Sequence, residues 1–377
     1  MANLIEDCHK RIKNFSAVIN VNPNGTIAYK NRAKEYENCS VYETDEQKSE
    51  KYFHKAIKDY SAVIKKDFNN PDNYVSRAEA YLNRLKTEKD EKKSEDYFKK
   101  AIEDYTSAIK KDAENAERYN TRALTYDEWR MKLETDREKI ALYCSKSIED
   151  YTKVIEKYEA DVSKYDAEQF MLRYQNRAYA YFQLAGVTED EQKAQEYFEK
   201  AIEDLTTGIE KVPEYYVGYW KRADLYRTWS DIIRNKDKEK AKEYLQKALD
   251  DLTTSINEGK SEQCNYNDYL YRALVYSAMA FDEEETDSAK SEDYLEKALS
   301  DYSTVVEKTS GYADFCAYRA GAYYDLAKNF EKTNTDKAKE FFQKAVDDWN
   351  NYEAQFPSEQ GFSSERKEYA ENFLKSK

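Results

Sequence analysis

Seven arginines and seven aspartates recur along the chain in a pattern that could place a carboxylate beside an electrophilic guanidinium group. Each Arg is followed at a nearly constant interval by an Asp, in the pairs Arg32 and Asp59, Arg77 and Asp104, Arg122 and Asp150, Arg177 and Asp204, Arg222 and Asp251, Arg272 and Asp301, and Arg319 and Asp348. An active site is needed once, whereas this pair recurs in every copy of the pattern. We therefore predict a structural ion pair in each copy, because removing one partner of a buried pair leaves an uncompensated charge.

The other residues that could catalyse a reaction or bind a metal are scattered. The two histidines, His9 and His54, lack a matched nucleophile or carboxylate cluster. The acidic stretch at 281–293 lacks the glycine and the ligand spacing of an EF-hand loop. No C-x-x-C pair occurs among the five cysteines, which are Cys8, Cys39, Cys144, Cys264 and Cys316. The sequence thus predicts no enzyme, no metal, no cofactor, no small-molecule substrate and no disulfide framework.

The composition indicates a helical, acidic protein. Only 8 Gly and 4 Pro occur among 377 residues, and 36 Tyr supply large contact areas that tolerate partial exposure. The formal net charge of -14 has the wrong sign for wrapping nucleic acid. Because the N-terminus lacks an apolar signal core and no stretch is apolar enough to span a membrane, we expect a cytoplasmic protein without a membrane partner.

Two short segments alternate seven times along the chain. Segment A is Tyr-x-x-Arg-Ala-x-x-Tyr, seen from Tyr29 to Tyr36, with Cys316 replacing the first Tyr in the last copy. Segment B ends in Asp and an aromatic residue or Leu, as in YFKKAIEDY. Apolar and small residues recur at helical spacing in both segments, and capping signals such as Thr188 and Thr335 precede several B segments. The repeated unit is therefore predicted to be a helical hairpin.

The spacing between segments defines the predicted repeats. The interval from a segment B Asp to the next segment A Arg is identical in four of six cases, namely Asp59 to Arg77, Asp104 to Arg122, Asp204 to Arg222 and Asp301 to Arg319. The predicted hairpins cover 26–66, 71–112, 115–158, 164–211, 213–257, 263–308 and 311–354. Helices at 4–20 and 358–376 look like solvated caps of a single array spanning 1–377. A fragment of a larger protein remains the alternative.

The segments at 101–109 (AIEDYTSAI) and 119–126 (YNTRALTY) resemble the tetratricopeptide (TPR) repeat, and this resemblance covers essentially the whole chain. The period here runs from 45 to about 55 residues instead of the 34 of the family, and the extra residues fall at the tips of the hairpins. The resemblance implies an all-α fold, a right-handed α-α superhelix (TPR-like solenoid) of seven hairpins plus terminal cap helices. It also implies a concave wall, lined by the A helices, that holds peptides or protein segments.

One stripe of residues varies between repeats, and we call it the A stripe. It comprises the residues two before, and one, five and eight after, the first position of segment A. The stripe is largely polar in repeats one to three and richer in apolar residues in repeats four to six, which is typical of an interaction site. The predicted partner-binding residues are Leu172, Gln175, Tyr179, Phe182, Val217, Trp220, Asp224, Arg227, Leu270 and Leu274. Tighter packing of one A helix on the next is the alternative.

These observations predict a protein-interaction scaffold or regulatory adaptor that binds a partner protein or peptide on its concave surface. A nucleic-acid-associated repeat protein is the alternative, and it would need a basic or aromatic track strong enough to overcome the acidity. An enzyme is a distant third reading, since no catalytic motif occurs. The stripe lacks the Lys and Asn clamp that some TPR proteins use for C-terminal carboxylates, which disfavours binding of chaperone tails.

Overall fold

The computed structural model describes residues 2–133, 136–160, 166–213, 215–258, 266–284, 286–356 and 364–375, which form sixteen α-helices and no strand. The helices are α1 (Ala2–Val21), α2 (Thr26–Tyr42), α3 (Glu46–Lys66), α4 (Pro71–Leu85), α5 (Glu91–Lys111), α6 (Ala116–Arg130), α7 (Arg137–Ala160), α8 (Ala167–Val187), α9 (Glu191–Lys211), α10 (Val217–Ile233), α11 (Lys238–Glu258), α12 (Tyr266–Glu283), α13 (Ser288–Lys308), α14 (Ala313–Phe330), α15 (Thr335–Gln355) and α16 (Ser364–Lys375). The predicted all-α repeat fold is confirmed. The predicted starts at 164, 263 and 358 lie outside the described residues.

Each segment A lies on an even-numbered helix from α2 to α14, and each segment B lies on the next odd-numbered helix. Pro71 occupies the first turn of α4, where its missing N–H costs nothing. The B helices begin one residue away from two of the predicted caps. Thr335 is the first residue of α15 and Asn334 is its cap, while Asp190 and not Thr188 accepts from a backbone N–H at the start of α9. Asp and Asn win because their short side chains reach the first-turn N–H groups.

A stacked pair of aromatic rings closes each hairpin. The last Tyr of segment A stacks on the first aromatic residue of segment B in all seven copies, with ring centroids 5.7–6.4 Å apart and planes 20–26° from parallel. Tyr226 on Tyr244 is the closest pair and Tyr323 on Phe341 the only one with a Phe. Offset stacking adds to area burial, which accounts for many of the tyrosines.

The chain divides into two compact units, and the predicted single array stays a prediction. Unit 1 comprises Met1–Asp166 and Tyr179–Tyr197, and unit 2 comprises Ala167–Ala178 and Phe198–Lys377. In unit 1, Phe98 of α5 stacks on Trp129 of α6 at 4.7 Å. In unit 2, Phe198 of α9 stacks on Trp229 of α10 at 4.8 Å. The two pairs hold equivalent repeat positions, so one packing rule joins consecutive hairpins within each unit.

Candidate partner-binding face

The repeated Arg and Asp form the predicted ion pair in all seven hairpins. Nε and Nη2 of each Arg donate to the two oxygens of the Asp carboxylate at 2.6–2.9 Å. At most 11% of each Asp side chain is exposed, and 16–24% of each Arg side chain. Bidentate, largely buried pairs of this kind fix orientation as well as charge. The structural reading of these residues is confirmed.

A hydroxyl group extends four of these ion pairs to the preceding helix. The third guanidinium nitrogen, Nη1, donates to a Ser or Thr that lies 16 residues earlier in the chain, at 2.8–3.0 Å. The acceptors lie two residues after the segment B Asp, or after Asn14 in α1. The four donor and acceptor pairs are Arg32 and Ser16, Arg77 and Ser61, Arg122 and Thr106, and Arg222 and Thr206. Each of these arginines therefore connects its own hairpin to the helix before it.

The charge state of these pairs follows from burial and pairing together. Burial raises the pKa of Asp150, Asp204 and Asp251 above the ordinary carboxyl value, and the hydrogen-bonded arginine offsets part of the rise. The pKa of Arg77 is raised because its hydrogen bond to Asp104 stabilises the charged form. Both partners are fully engaged with each other, so these groups position helices and leave no carboxylate available for catalysis.

The eighth position of the A stripe faces its own hairpin in three described repeats. The hydroxyl of Tyr60 donates to Glu37 at 2.5 Å, and that of Tyr151 donates to Asp127 at 2.8 Å. Ser277 lies 3.4 Å from the hydroxyl of Tyr302. In each case the partner is the aromatic residue that follows the segment B Asp. This position therefore stabilises the hairpin, and the ligand-facing part of the stripe is narrower than predicted.

Trp220 joins two A helices of unit 2. Its ring stacks on Tyr271 of α12 with centroids 5.2 Å apart, and Lys221 Nζ lies 3.9 Å from its centroid. Burial lowers the pKa of Lys221. The indole packs against a cluster that includes the fully buried Leu245 and Val275, and its Nε1 is buried without an acceptor. Trp220 is therefore a packing residue of the α10–α12 contact, whatever else it does.

The neighbouring predicted residues of α10 are also engaged within unit 2. Asp224 is buried and pairs with Arg227 at 3.1 Å, and Arg227 also reaches Asp231 at 3.3 Å. Val217 is half-buried at the first position of the helix. The next residue, Gly218, makes this start possible, because a Cβ there would lie 2.6 Å from Ile209 and 2.8 Å from Met171.

A groove of about 390 Å³ opens where the A stripe continues from α12 to α14. Leu270 of the predicted site forms part of its wall, and Leu274 packs with it against the core of unit 2. The rest of the wall comes from residues that the sequence analysis did not single out, namely Asp314, Phe315, Ala317, Tyr318, Gly321 and Tyr352. Ala317 and Gly321 occupy the positions that carry Leu270 and Leu274 one repeat earlier, and small residues at these two places were the available signal.

The remaining predicted residues lie on α8, which the two units share. Leu172 and Gln175 belong to unit 2, with 39% of Leu172 exposed and Gln175 half-buried. Tyr179 and Phe182 belong to unit 1, with 38% of Tyr179 exposed and Phe182 half-buried. Trp220, Asp224, Arg227, Leu270 and Leu274 are thus gathered in unit 2 around α10 and α12, and Tyr179 and Phe182 stand apart from that group.

A larger cavity of about 590 Å³ lies in unit 1 between the first two hairpins. Its wall carries charges of both signs, including Lys34, Glu43, Glu46, Lys86 and Lys89. Such a wall offers little apolar surface to an anchoring side chain, in contrast to the groove of unit 2. Among the described residues, no group of His, Cys, Asp and Glu has the arrangement of a metal site. None of the described helices is long and apolar enough to cross a bilayer.

Alternating helical hairpins joined by a repeated Arg and Asp pair define a helical-repeat protein. The Sel1 repeat model matches residues 41–59, 75–104, 175–204 and 230–251, and the Tetratricopeptide repeat model matches 321–349. The chain is thus a member of the TPR-like repeat proteins. No curated protein matches it significantly.

Several solved structures are similar to the chain at low sequence identity. One, from Cytophaga hutchinsonii, is the C-terminal part of a TPR repeat-containing protein, with 13% identity, 82% of this chain and 97% of that chain covered, and a TM-score of 0.44. A tetratricopeptide repeat protein from Parabacteroides merdae has 15% identity, coverages of 92% and 98%, and a TM-score of 0.37. The crystal structure of MamA has 20% identity, coverages of 53% and 89%, and a TM-score of 0.33.

Proposed function

We propose that this protein is an interaction scaffold or regulatory adaptor that binds a peptide segment of a partner protein on unit 2. The proposed site is the face formed by the A stripe of α10, α12 and α14, with Leu172, Gln175, Val217, Trp220, Leu270 and Leu274 on or beside it. Tyr179 and Phe182 would extend the site along α8. The single observation that carries the proposal is the groove beside Leu270, because a concave apolar site suits an anchoring side chain.

The chemistry of the groove favours an apolar anchor flanked by basic residues. Asp314, Ala317, Gly321 and Asp325 follow one another at three- and four-residue steps, which puts them on one face of α14. Small residues thus lie between two carboxylates. Arg366 bonds Asp325 at 3.3 Å, and burial raises the pKa of Asp325 to about 6. The net charge of -14 also favours a basic partner and gives no support to nucleic acid binding. A cytoplasmic location stays a prediction.

Gly321 offers a direct test of the groove. A Cβ at this position would have Arg366 Nη1 at 4.0 Å as its nearest neighbour, so Gly321→Leu would fill the groove without a backbone clash. Replacing a helical glycine also favours the helix by about 0.5–1 kcal/mol. The matched control is Gly186→Leu, because a Cβ there meets nothing within 4 Å and the position lies on α8 in unit 1.

The probe is an immobilised peptide array in which Leu, Phe or Trp is flanked by Lys and Arg. Companion peptides carry Glu in the flanks or Ser in place of the anchor. We expect the wild type and Gly186→Leu to bind the basic peptides with apolar anchors, and Gly321→Leu to bind them at least 10-fold more weakly. Equal binding by Gly321→Leu and the wild type would show that the groove is not the site, and no preference for apolar anchors would reject the proposed chemistry.

A further inference from the structure

Two cysteines occupy a contact that large side chains fill in later repeats. Cys8 of α1 lies six residues before Asn14, the position that Phe53, Phe98 and Phe198 hold relative to the segment B Asp. Cys39 of α2 lies seven residues after Arg32, the position that Trp129 and Trp229 hold relative to the segment A Arg. Both cysteines are fully buried in unit 1, at 0% exposure.

The equivalent positions touch each other in the later copies. The rings of Phe98 and Trp129 stack at 4.7 Å, and Arg84 lies over the ring of Phe53 at 6.0 Å. The same geometry places Cys39 opposite Cys8, and their thiol groups interact directly. The two cysteines lie far apart in sequence and share no short motif, which is why the spacing of the cysteines alone pointed to no disulfide.

The surroundings give the two sulfurs different roles. Arg11 Nη2 donates to Cys8 Sγ at 3.5 Å and its Nε bonds Glu35 of α2 at 2.9 Å, so a cation is held beside Cys8 across the α1–α2 contact. A neighbouring guanidinium favours a thiolate. Burial, together with the contact with Cys8, raises the pKa of Cys39 to about 12. Cys8 is thus the attacking sulfur and Cys39 the resolving one.

We propose that Cys8 and Cys39 form a dithiol–disulfide modification site that links α1 covalently to α2 when the protein meets a small-molecule disulfide such as oxidised glutathione. The Cys8 thiolate attacks the disulfide, the sulfur–sulfur bond breaks, and one glutathione thiolate leaves. Cys39 then loses its proton to solvent and attacks the Cys8 sulfur, which releases the second glutathione thiolate. Two protein thiols are oxidised and one glutathione disulfide is reduced, so electrons and atoms balance.

Access and consequence follow from the same packing. Because both sulfurs are buried, the reagent reaches Cys8 only when α1 separates transiently from α2, so the reaction is slow and reports local opening. Once formed, the bond closes a loop and removes conformations from the unfolded chain. The oxidised protein then keeps Ser16 of α1 beside Arg32, with which it shares a 3.0 Å hydrogen bond.

The test uses the full chain under native conditions. The protein is incubated with oxidised glutathione, remaining thiols are alkylated, and tryptic peptides are analysed by mass spectrometry. We expect a peptide pair linked through Cys8 and Cys39 with the loss of two hydrogens, while Cys144 and Cys316, which are buried apart from this pair, stay alkylatable after unfolding. Absence of the linked pair, or a link between other cysteines, would overturn the proposal.

Three variants separate the chemistry from simple packing. Cys39→Ala should abolish the link and leave glutathione attached to Cys8, whereas Cys144→Ala should leave the link unchanged. Arg11→Gln should slow linkage several-fold while circular dichroism stays that of the wild type. The melting temperature should rise by several degrees on oxidation of the wild type and stay constant in Cys39→Ala. Loss of glutathione attachment in Cys39→Ala, or an equal rise in both proteins, would contradict the assignment.

Discussion

At the scale of the residue, the arginine of segment A is the connector of the fold. In four described repeats it binds an aspartate of its own hairpin through two nitrogens and a hydroxyl of the preceding helix through the third. A lysine would supply the charge but lacks the planar fork that meets both partners. The pair is thus a positional device, and its retention in every hairpin is explained by geometry.

Arg222 gives the sharpest measurement of this device. Arg222→Met should lower the free energy of unfolding by ~3 kcal/mol, because Asp251, whose side chain is 10% exposed, would keep a charge without a partner. The double variant Arg222→Met with Asp251→Leu should recover much of that loss, since no isolated charge remains. Urea unfolding followed by circular dichroism measures both.

The exposed pair of Glu243 and Lys247, with side chains 59% and 46% exposed, is the matched control, and Lys247→Met should cost below ~1 kcal/mol. A loss for Arg222→Met no larger than this control would contradict the proposed role of the buried pair.

The ion pairs could be predicted from sequence, whereas the hydroxyl acceptors could not. A nearly constant separation, as from Arg32 to Asp59, singles out Arg and Asp because each type is required once per hairpin. Thr106 and Thr206 look like ordinary helix residues, and their hydroxyls also donate to the carbonyl four residues earlier, the usual local bond. Only the structure distinguishes them, because the same oxygen accepts from an arginine of the next helix.

At the scale of the element, the distance between successive A helices decides what a stripe residue does. α10 lies close enough to α12 for Trp220 to stack on Tyr271. Farther along, the small Ala317 and Gly321 leave an open groove beside Leu270. The sequence showed an apolar stripe and left binding and packing both open. It could not choose, because helix periodicity gives the face of a residue but not the separation of the helices.

Trp220→Ala tests the packing role at this scale. We expect a loss of ~2 kcal/mol in unfolding free energy, since the variant removes the stack on Tyr271, the contact with Lys221 and half-buried apolar area. Binding to the basic peptide array should weaken as well if α10 contributes to the site. Thermal and urea unfolding measure the first effect and the array measures the second.

Leu172→Ala is the control for this variant, because Leu172 lies on the same stripe with 39% exposure, and it should change stability by less than ~1 kcal/mol. A Trp220→Ala protein as stable as the wild type would mean that the stack contributes little, and Trp220 would then be read as a surface anchor alone.

At the scale of the whole molecule, the structure is built from one joint used many times. Hairpins are closed by the Tyr stack and the ion pair, and consecutive helices are joined by the Arg and hydroxyl bond and by pairs such as Phe98 with Trp129. The hairpin order could be predicted because every joint repeats at fixed spacing. The division into two units could not, since both units use the same residue types and α8 contributes to each.

A deletion of one period tests whether these joints are interchangeable. Removing residues 78–122 joins Arg77 to Ala123, so Arg77 takes the place of Arg122 opposite Asp150, and Ser61 takes the place of Thr106 as its acceptor. Every joint is then rebuilt from residues that already serve it elsewhere, and stability in such arrays is set mainly by nearest neighbours. We expect a helical, monodisperse protein with a cooperative urea transition, seen by circular dichroism and size-exclusion chromatography. The matched control removes residues 78–112, which joins Arg77 to Ala113 and leaves the next B helix out of phase, and it should lose cooperativity. If both deletions unfold, or both fold equally well, the rule that each joint depends on the spacing of Arg, Asp and hydroxyl is wrong.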